Sequence, residues 1–208
     1  MMKVMPANTQ GFTTGYIAGK YDGRIAHLYS PDGWRRPKPY VDYALDNGRF
    51  SESWSEKDYL KMLDAAANHR DQPIWALVPD VVGDRDGTLR EWDRWAPRLE
   101  QYHWPLAMAC QDGMTPLDVP PEVSVCFIGG STAWKRKSLA MWCQEFDRVH
   151  VGRVNTNKWL WECHEAGAES CDGTGWMRGC QAQLNGLVDY LERSSKGLGN
   201  QRGDKLWA

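Results

Sequence analysis

The chain has 208 residues, a formal net charge of −2 and an isoelectric point near 6.2. This length fits a single domain with a substantial core, and the charge excludes a globally basic nucleic-acid coat protein. No apolar run approaches the roughly 20 residues that a membrane helix needs, so we expect a soluble protein with no membrane association.

The use of cysteine and tryptophan narrows the class of protein further. The six cysteines stand singly in apolar segments, without a C-x-x-C pair or a secretory leader, so buried thiols in a reducing cytoplasm are expected, the host cytoplasm if a phage encodes the chain. The five histidines show no metal spacing with them, and we expect no zinc and no cofactor. For the 12 tryptophans, packing is favoured over stacking on bases.

Apolar runs alternate with segments of helical period, which indicates βαβ units and a parallel sheet. Strands are predicted near residues 3–6, 25–29, 41–45, 74–78, 106–110, 123–128, 148–151 and 169–171. Helices are predicted over 55–67, from a capping-box pattern at Thr88 to Leu99, and near 132–146, 156–166 and 180–193. Eight strands would close a compact α/β fold, the (β/α)8 or TIM barrel.

Two segments depart from this alternation. Residues 29–40 contain three prolines and no helical period, so a loop is predicted in place of a barrel helix. Residues 194–208 are rich in glycine, serine and charge, and a flexible tail is predicted after a single domain over 1–193.

Polar motifs follow five of the predicted strands, and the carboxyl ends of parallel barrel strands meet at one mouth. The motifs are Asp46-Asn47-Gly48, Asp80, Gln111-Asp112-Gly113, Gly129-Gly130 and Asp172-Gly173. We therefore expect three carboxylates, one amide and a bare glycine backbone around a common pocket. This set suits chemistry at a sugar carbon beside a hydrogen-bonded base.

Two of these carboxylates fit the chemistry of an N-glycosidic bond. An ionised Asp172 can attack an anomeric carbon and form a glycosyl ester. Asp46 can act as acid and base for the ring nitrogen if partial burial or a neighbouring carboxylate raises its pKa. Each motif also makes an ordinary turn, so neither is diagnostic by itself.

The remaining motifs fit recognition of a base. Asp80 can accept hydrogen bonds from a guanine-like ring N–H and amine, although a capping or loop role is equally consistent. Gln111 offers a donor and an acceptor, and Gly129-Gly130 lets backbone groups approach a planar ligand. Phe50 fits either a stacking ring or a core residue.

In this order the motifs resemble those of the tRNA-guanine transglycosylase superfamily, whose barrel exchanges guanine for a 7-deazaguanine. The matching segments, within residues 41–180, are Asp46-Asn47-Gly48-Arg49-Phe50, Val78-Pro79-Asp80, Gln111-Asp112-Gly113, Ile128-Gly129-Gly130-Ser131, and His150-Val151-Gly152 with Asp172. The resemblance implies Asp172 as nucleophile, Asp46 as general acid/base and Phe50 as the stacking ring. It implies base binding by Asp80, Gln111, Gly129, Gly130 and Val151.

Two departures from the family refine these expectations. The family's C-terminal zinc subdomain has no counterpart, as in the short phage-type deazapurine-DNA transglycosylases, so we expect DNA rather than tRNA as the substrate, and a monomer rather than the usual dimer. Where the bacterial tRNA enzymes carry a carboxylate that supports an aminomethyl ammonium, this chain has Lys135. An uncharged base such as preQ0 is therefore expected.

Basic residues are the expected nucleic-acid contacts. Two clusters stand out, Arg35-Arg36-Pro37-Lys38 and Lys135-Arg136-Lys137, for which solvated surface turns and helix faces are an equally good interpretation. Arg153 and Arg178 are further candidates. Three other functions stay open: exchange in tRNA, a non-catalytic barrel that binds nucleic acid or deazapurine, and an N-glycosidase that lets water resolve the intermediate.

Overall fold

A computed structural model describes residues 2–200 and contains eight parallel strands. These are β1 (Lys3–Pro6), β2 (His27–Tyr29), β3 (Tyr43–Leu45), β4 (Ala76–Leu77), β5 (Leu106–Cys110), β6 (Val125–Ile128), β7 (Val149–Val151) and β8 (Ser170–Gly173). Their order is β1-β8-β7-β6-β5-β4-β3-β2, and bridges Val4–Ile25 and Ala7–Leu28 join β1 to β2. The sheet is a nearly closed (β/α)8 barrel, as predicted.

Helices cover the outside of this barrel. They are α1 (Phe12–Lys20), α2 (Glu56–Ala67), α3 (Arg85–Leu99), α4 (Thr132–Glu145), α5 (Asn157–Ala166), α6 (Gly175–Arg178) and α7 (Gln181–Ser195). The side chains of Ser55, Ser131 and Thr156 accept hydrogen bonds from the first turns of α2, α4 and α5. Between β2 and β3 the chain forms only a 3-10 turn, Pro31–Gly33, so the predicted loop is confirmed.

The predicted set of helices needs correction at four points. The predicted start of α3 at Thr88 is wrong, because Asp84 caps the helix by accepting from Gly87 N at 3.0 Å, whereas the buried Thr88 hydroxyl bonds to the Val81 backbone. The sequence analysis missed α1, whose glycines weaken the helical pattern, and the short α6. Helix α7 continues to Ser195, and residues 201–208 of the predicted tail lie outside the described residues.

The core has two layers, because successive side chains of a strand point to opposite faces. The barrel interior contains Met5, Ala26, Leu28, Ala44, Trp75, Leu77, Ala107, Ala109 and Val125. The larger outer layer packs strands against helices. On β7, His150 contacts the interior residues Trp75 and Phe127, whereas Val149 and Val151 belong to the outer layer.

The tryptophan prediction is confirmed and the cysteine prediction only in part. In the part of the chain that the structure describes, eight tryptophans are buried: Trp75, Trp92, Trp95, Trp104, Trp142, Trp159, Trp161 and Trp176. All six thiols are free, but Cys143 is half-buried and Cys180 is exposed at the start of α7. Within residues 2–200, no helix combines the length and apolar character needed to cross a membrane.

Candidate active site

Three carboxylates lie where strands end at one mouth of the barrel. Asp46 directly follows β3, Asp80 follows β4, and Asp172 is the third residue of β8. Burial, together with the negative charges of Asp172 and Asp80, raises the pKa of Asp46 from 3.8 to about 7, although a hydrogen bond from Gly48 N opposes the rise. The predicted elevation of this pKa thus has both of the causes that the sequence analysis named.

Asp172 is 7% exposed and its two oxygens have different surroundings. The Arg153 N–H lies 3.3 Å from both oxygens, and His150 Nε2 lies 3.1 Å from Oδ2. His150 in turn lies 2.8 Å through Nδ1 from Ser170 Oγ, and both residues are buried. Oδ1 is therefore the less constrained oxygen, and Ser170 is too buried to act as the reactive group.

His150 is a functional candidate that the sequence analysis did not assign. Its ring stacks on Phe127 with centroids 4.7 Å apart and meets Trp75 edge-on at 4.9 Å. The only signal was its place two residues before Gly152 in the motif that leads to Asp172. Its contacts come from three other strand regions, which a pattern within one strand does not reveal.

Asp80 is 6% exposed and is held by two amides. Asn47 Nδ2 donates to Oδ1 at 2.8 Å, and Gln111 Nε2 donates to Oδ2 at 2.6 Å. Burial raises the pKa of Asp80, and these two hydrogen bonds oppose the rise. A carboxylate has about four lone-pair positions, so each oxygen keeps one for a ligand.

Gly129 and Gly130 do not offer the free backbone that was expected. Their N–H groups donate to Cys110 O at 3.0 and 3.3 Å, and their carbonyls accept from Arg153 Nη2 at 2.7 and 2.8 Å. A Cβ on Gly130 would lie 2.1 Å from Asp112 Oδ1. The bare backbone at Gly130 therefore accommodates Asp112, whose carboxylate also accepts from Ser131 N and Oγ at 2.5 and 2.6 Å.

The structure bears in opposite ways on the predicted substrate contacts of Phe50 and Val151. Phe50 is 70% exposed, which excludes the core interpretation, and the Arg153 guanidinium carbon lies 5.0 Å from its ring centroid. The ring remains available for stacking on a planar ligand. The prediction that Val151 contacts substrate is wrong for its side chain, which is buried in the outer layer between strands and helices.

Of the three predicted nucleic-acid contacts on α4, Lys135 needs correction. Lys135 is fully buried and its Nζ donates to Gly152 O, so it is not a surface contact. Burial and the Arg153 cation lower the pKa of Lys135 to about 8. The Arg136 side chain forms an ion pair with Glu162 of α5 at 3.2 Å, and Lys137 is exposed on α4.

Other cations do lie at the mouth. A cavity of about 400 Å³ is lined by Asp46, Phe50, Ser51, Arg35 and Arg178, among others. Arg178 is exposed and donates to Asn8 O at 3.2 Å, while Arg153 is exposed beneath Phe50. The cavity therefore brings an acid/base candidate, an exposed ring and two guanidinium groups together. In the described part of the chain, no cluster of three or more His, Cys, Asp or Glu side chains has the arrangement of a metal site.

Comparison with known proteins adds information on the fold. No family model and no curated protein matches the chain. Among solved structures, one described as "Native KDPGal structure" is similar over 95% of this chain and 96% of that chain, with 11% identity and a TM-score of 0.53. This similarity supports the (β/α)8 architecture and, at such low identity, says nothing about the reaction.

Proposed function

We propose that the protein is an enzyme, a base-exchange transglycosylase that replaces guanine in DNA with an uncharged 7-deazaguanine such as preQ0. The observation that carries this proposal is the convergence of Asp46, Asp80 and Asp172 on one mouth, each with different partners. Asp172 has hydrogen-bond donors on both oxygens, Asp46 has a raised pKa, and Asp80 is held by two amides. These different surroundings suit three different tasks.

The first step opens the glycosidic bond. Guanine is extruded from the duplex, because a stacked base cannot enter a barrel mouth. Asp172 attacks C1′ through Oδ1, the oxygen that His150 leaves free, and the C1′–N9 bond breaks. Asp46 gives its proton to the departing base, a role that its raised pKa supports near neutral pH.

The second step reverses these roles. The incoming 7-deazaguanine loses its N9 proton to Asp46, its N9 attacks C1′, and the ester bond to Asp172 breaks. No external energy source is needed, since one glycosidic bond replaces another. The remaining lone pairs of Asp80 accept from the ring N–H and the exocyclic amine, and the exposed Phe50 ring stacks on the base.

The preference for an uncharged base rests on Arg153 as well as on the buried Lys135. Arg153 is exposed beside the mouth and is the cation that faces the glycine carbonyls there. A guanidinium at this point repels an aminomethyl ammonium and leaves a nitrile unaffected. Equal incorporation of the aminomethyl and nitrile bases would contradict this part of the proposal.

The test follows labelled guanine in DNA and, separately, in tRNA, with and without preQ0. The wild-type protein should release guanine from DNA and incorporate preQ0, as read by nucleoside mass. Asp172→Asn should abolish both reactions, whereas Asp93→Asn, an exposed carboxylate on α3, should leave them unchanged.

Each other product pattern identifies a different function. Guanine release without incorporation would mean hydrolysis, and exchange in tRNA alone would keep the chemistry but change the substrate. Binding without release from either nucleic acid would contradict an enzymatic role and favour a binding protein.

A further inference from the structure

Lys135 is a buried ammonium that the two steps above do not use. It lies on α4, fully buried, and donates through Nζ to Gly152 O. Arg153, Asp112, Cys163 and Asp172 are the charged or titratable groups that influence it. Burying an ammonium is unfavourable unless it is paired, and an apolar side chain of similar volume would avoid that cost. The charge at this position therefore needs an explanation beyond packing.

The acceptor of Lys135 belongs to a turn that packs against Asp172. A Cβ on Gly152 would lie 2.8 Å from the Phe127 ring and 3.4 Å from Asp172 Oδ2, so the backbone passes close to both. The next residue, Arg153, has a φ of 60°, a left-handed conformation that is uncommon outside glycine. This conformation directs the Arg153 N–H toward both oxygens of Asp172, at 3.3 Å.

Two cations hold this turn from opposite ends. Lys135 holds the Gly152 carbonyl, and the Arg153 guanidinium holds the carbonyls of Gly129 and Gly130. An unfavourable backbone conformation persists only where its surroundings fix it. The Gly152 carbonyl that Lys135 holds and the Arg153 N–H that meets Asp172 belong to the same peptide group. Of the two cations, Lys135 therefore makes its contact closer along the chain to that N–H.

We propose that Lys135 is a positioning residue for Asp172, acting through the Gly152–Arg153 turn. This role rests on the proposed function, in which Asp172 is the nucleophile. Without Lys135 the turn relaxes, the Arg153 N–H moves away from Asp172, and the carboxylate loses its attack geometry. Asp80, the residue that reads the base, is held by Asn47 and Gln111 and makes no hydrogen bond to this turn. We therefore expect kcat to fall while KM for the uncharged base changes little.

The kinetic test compares Lys135→Met with Lys196→Met, an exposed lysine at the C-terminal end of α7. Misplacement of a reacting group can cost up to about 100-fold, and Lys135→Met should lower kcat by roughly 10- to 100-fold, with KM within about twofold. Lys196→Met should leave both unchanged. Lys135→Arg, which restores a cation, should recover part of kcat.

A second measurement does not depend on activity. In amide NMR spectra, Lys135→Met should shift the Arg153 N–H signal and speed its exchange with solvent, and Lys196→Met should not. If Lys135→Met does not fold, Lys135→Gln, which keeps a donor without the charge, serves in the same comparison.

The outcomes separate the two proposals. If the wild-type protein exchanges no base, the proposed function fails, and the Arg153 signal still decides whether Lys135 holds the turn. An unchanged Arg153 signal together with a kcat equal to that of Lys196→Met would overturn the positioning role. A rise in KM with unchanged kcat would overturn it as well.

Discussion

His150 Nε2 lies 3.1 Å from Asp172 Oδ2, inside a part of the barrel closed by Trp75 and Phe127. A neutral imidazole that accepts from the Ser170 hydroxyl at Nδ1 can donate from Nε2 to the carboxylate. His150 therefore fixes one oxygen of Asp172 and leaves the other for chemistry.

His150→Phe keeps the ring and removes this donor. A hydrogen bond to a charged group contributes about 1.5–3 kcal/mol, so kcat should fall by roughly 10- to 100-fold. Single-turnover guanine release measures this loss, and Ser170→Ala, which leaves His150 in place, should show a smaller one. Wild-type kcat in His150→Phe would contradict the assigned role.

The raised pKa of Asp46 predicts how the rate of base release depends on pH. Its pKa near 7 means that the protonated acid is populated below that pH and is lost as pH rises through it. The rate of guanine release should therefore fall above pH 7. Asp46→Asn should lower the rate by about 10²- to 10⁴-fold and remove the fall in rate above pH 7. If the same fall persists in the variant, another group is responsible for it.

The same carboxyl predicts a pH-dependent change in stability. Between pH 3.8 and about 7 the folded protein keeps a proton that the unfolded chain has released, so the contribution of Asp46 is complete below 3.8 and lost as pH rises through 7. Thermal unfolding should show Asp46→Asn gaining stability relative to wild type from pH 4 to pH 8, by a few kcal/mol at about 1.4 kcal/mol per pKa unit. The exposed-site variant Asp93→Asn should show no such trend.

Asp80 predicts base specificity. Its oxygens can accept from both the ring N–H and the exocyclic amine of guanine, and hypoxanthine lacks that amine. Asp80→Asn should weaken guanine binding by roughly 10- to 100-fold, the equivalent of about 1.5–3 kcal/mol, and weaken hypoxanthine binding less. Competition with labelled base measures both affinities. An equal loss for the two bases would show that Asp80 supports the pocket without reading the amine.

Arg178 predicts part of the salt dependence of nucleic-acid binding. It is exposed at the cavity beside Asp46, where a phosphate next to an extruded nucleotide would lie. Arg178→Ala should weaken DNA binding and reduce the slope of log K against log salt by about one. Lys196→Ala, which changes an exposed cation at the C-terminal end of α7, should leave the slope unchanged.

The sequence predicted the elements that depend on local pattern. The apolar runs located the strands, and the strand ends located Asp46, Asp80 and Asp172. The errors at Lys135 and Val151 have a different origin, because both depend on the face of an element that meets its neighbours. The buried Lys135 donates a hydrogen bond to Gly152 O, 17 positions away, and no pattern within α4 reveals that acceptor.

Strand β8 pairs with β1, and Asp172 lies opposite Met5 in that pairing. The strand that carries the proposed nucleophile is thus bordered on one side by the first strand of the chain. Pairing between residues so far apart in sequence has a large loop-closure cost and comes late in folding. A nascent chain that stops before β8 leaves the β8-facing edge of β1 unpaired and lacks Asp172. If Asp172 is the nucleophile, the proposed activity therefore arises together with ring closure, when the first and last strands of the barrel pair.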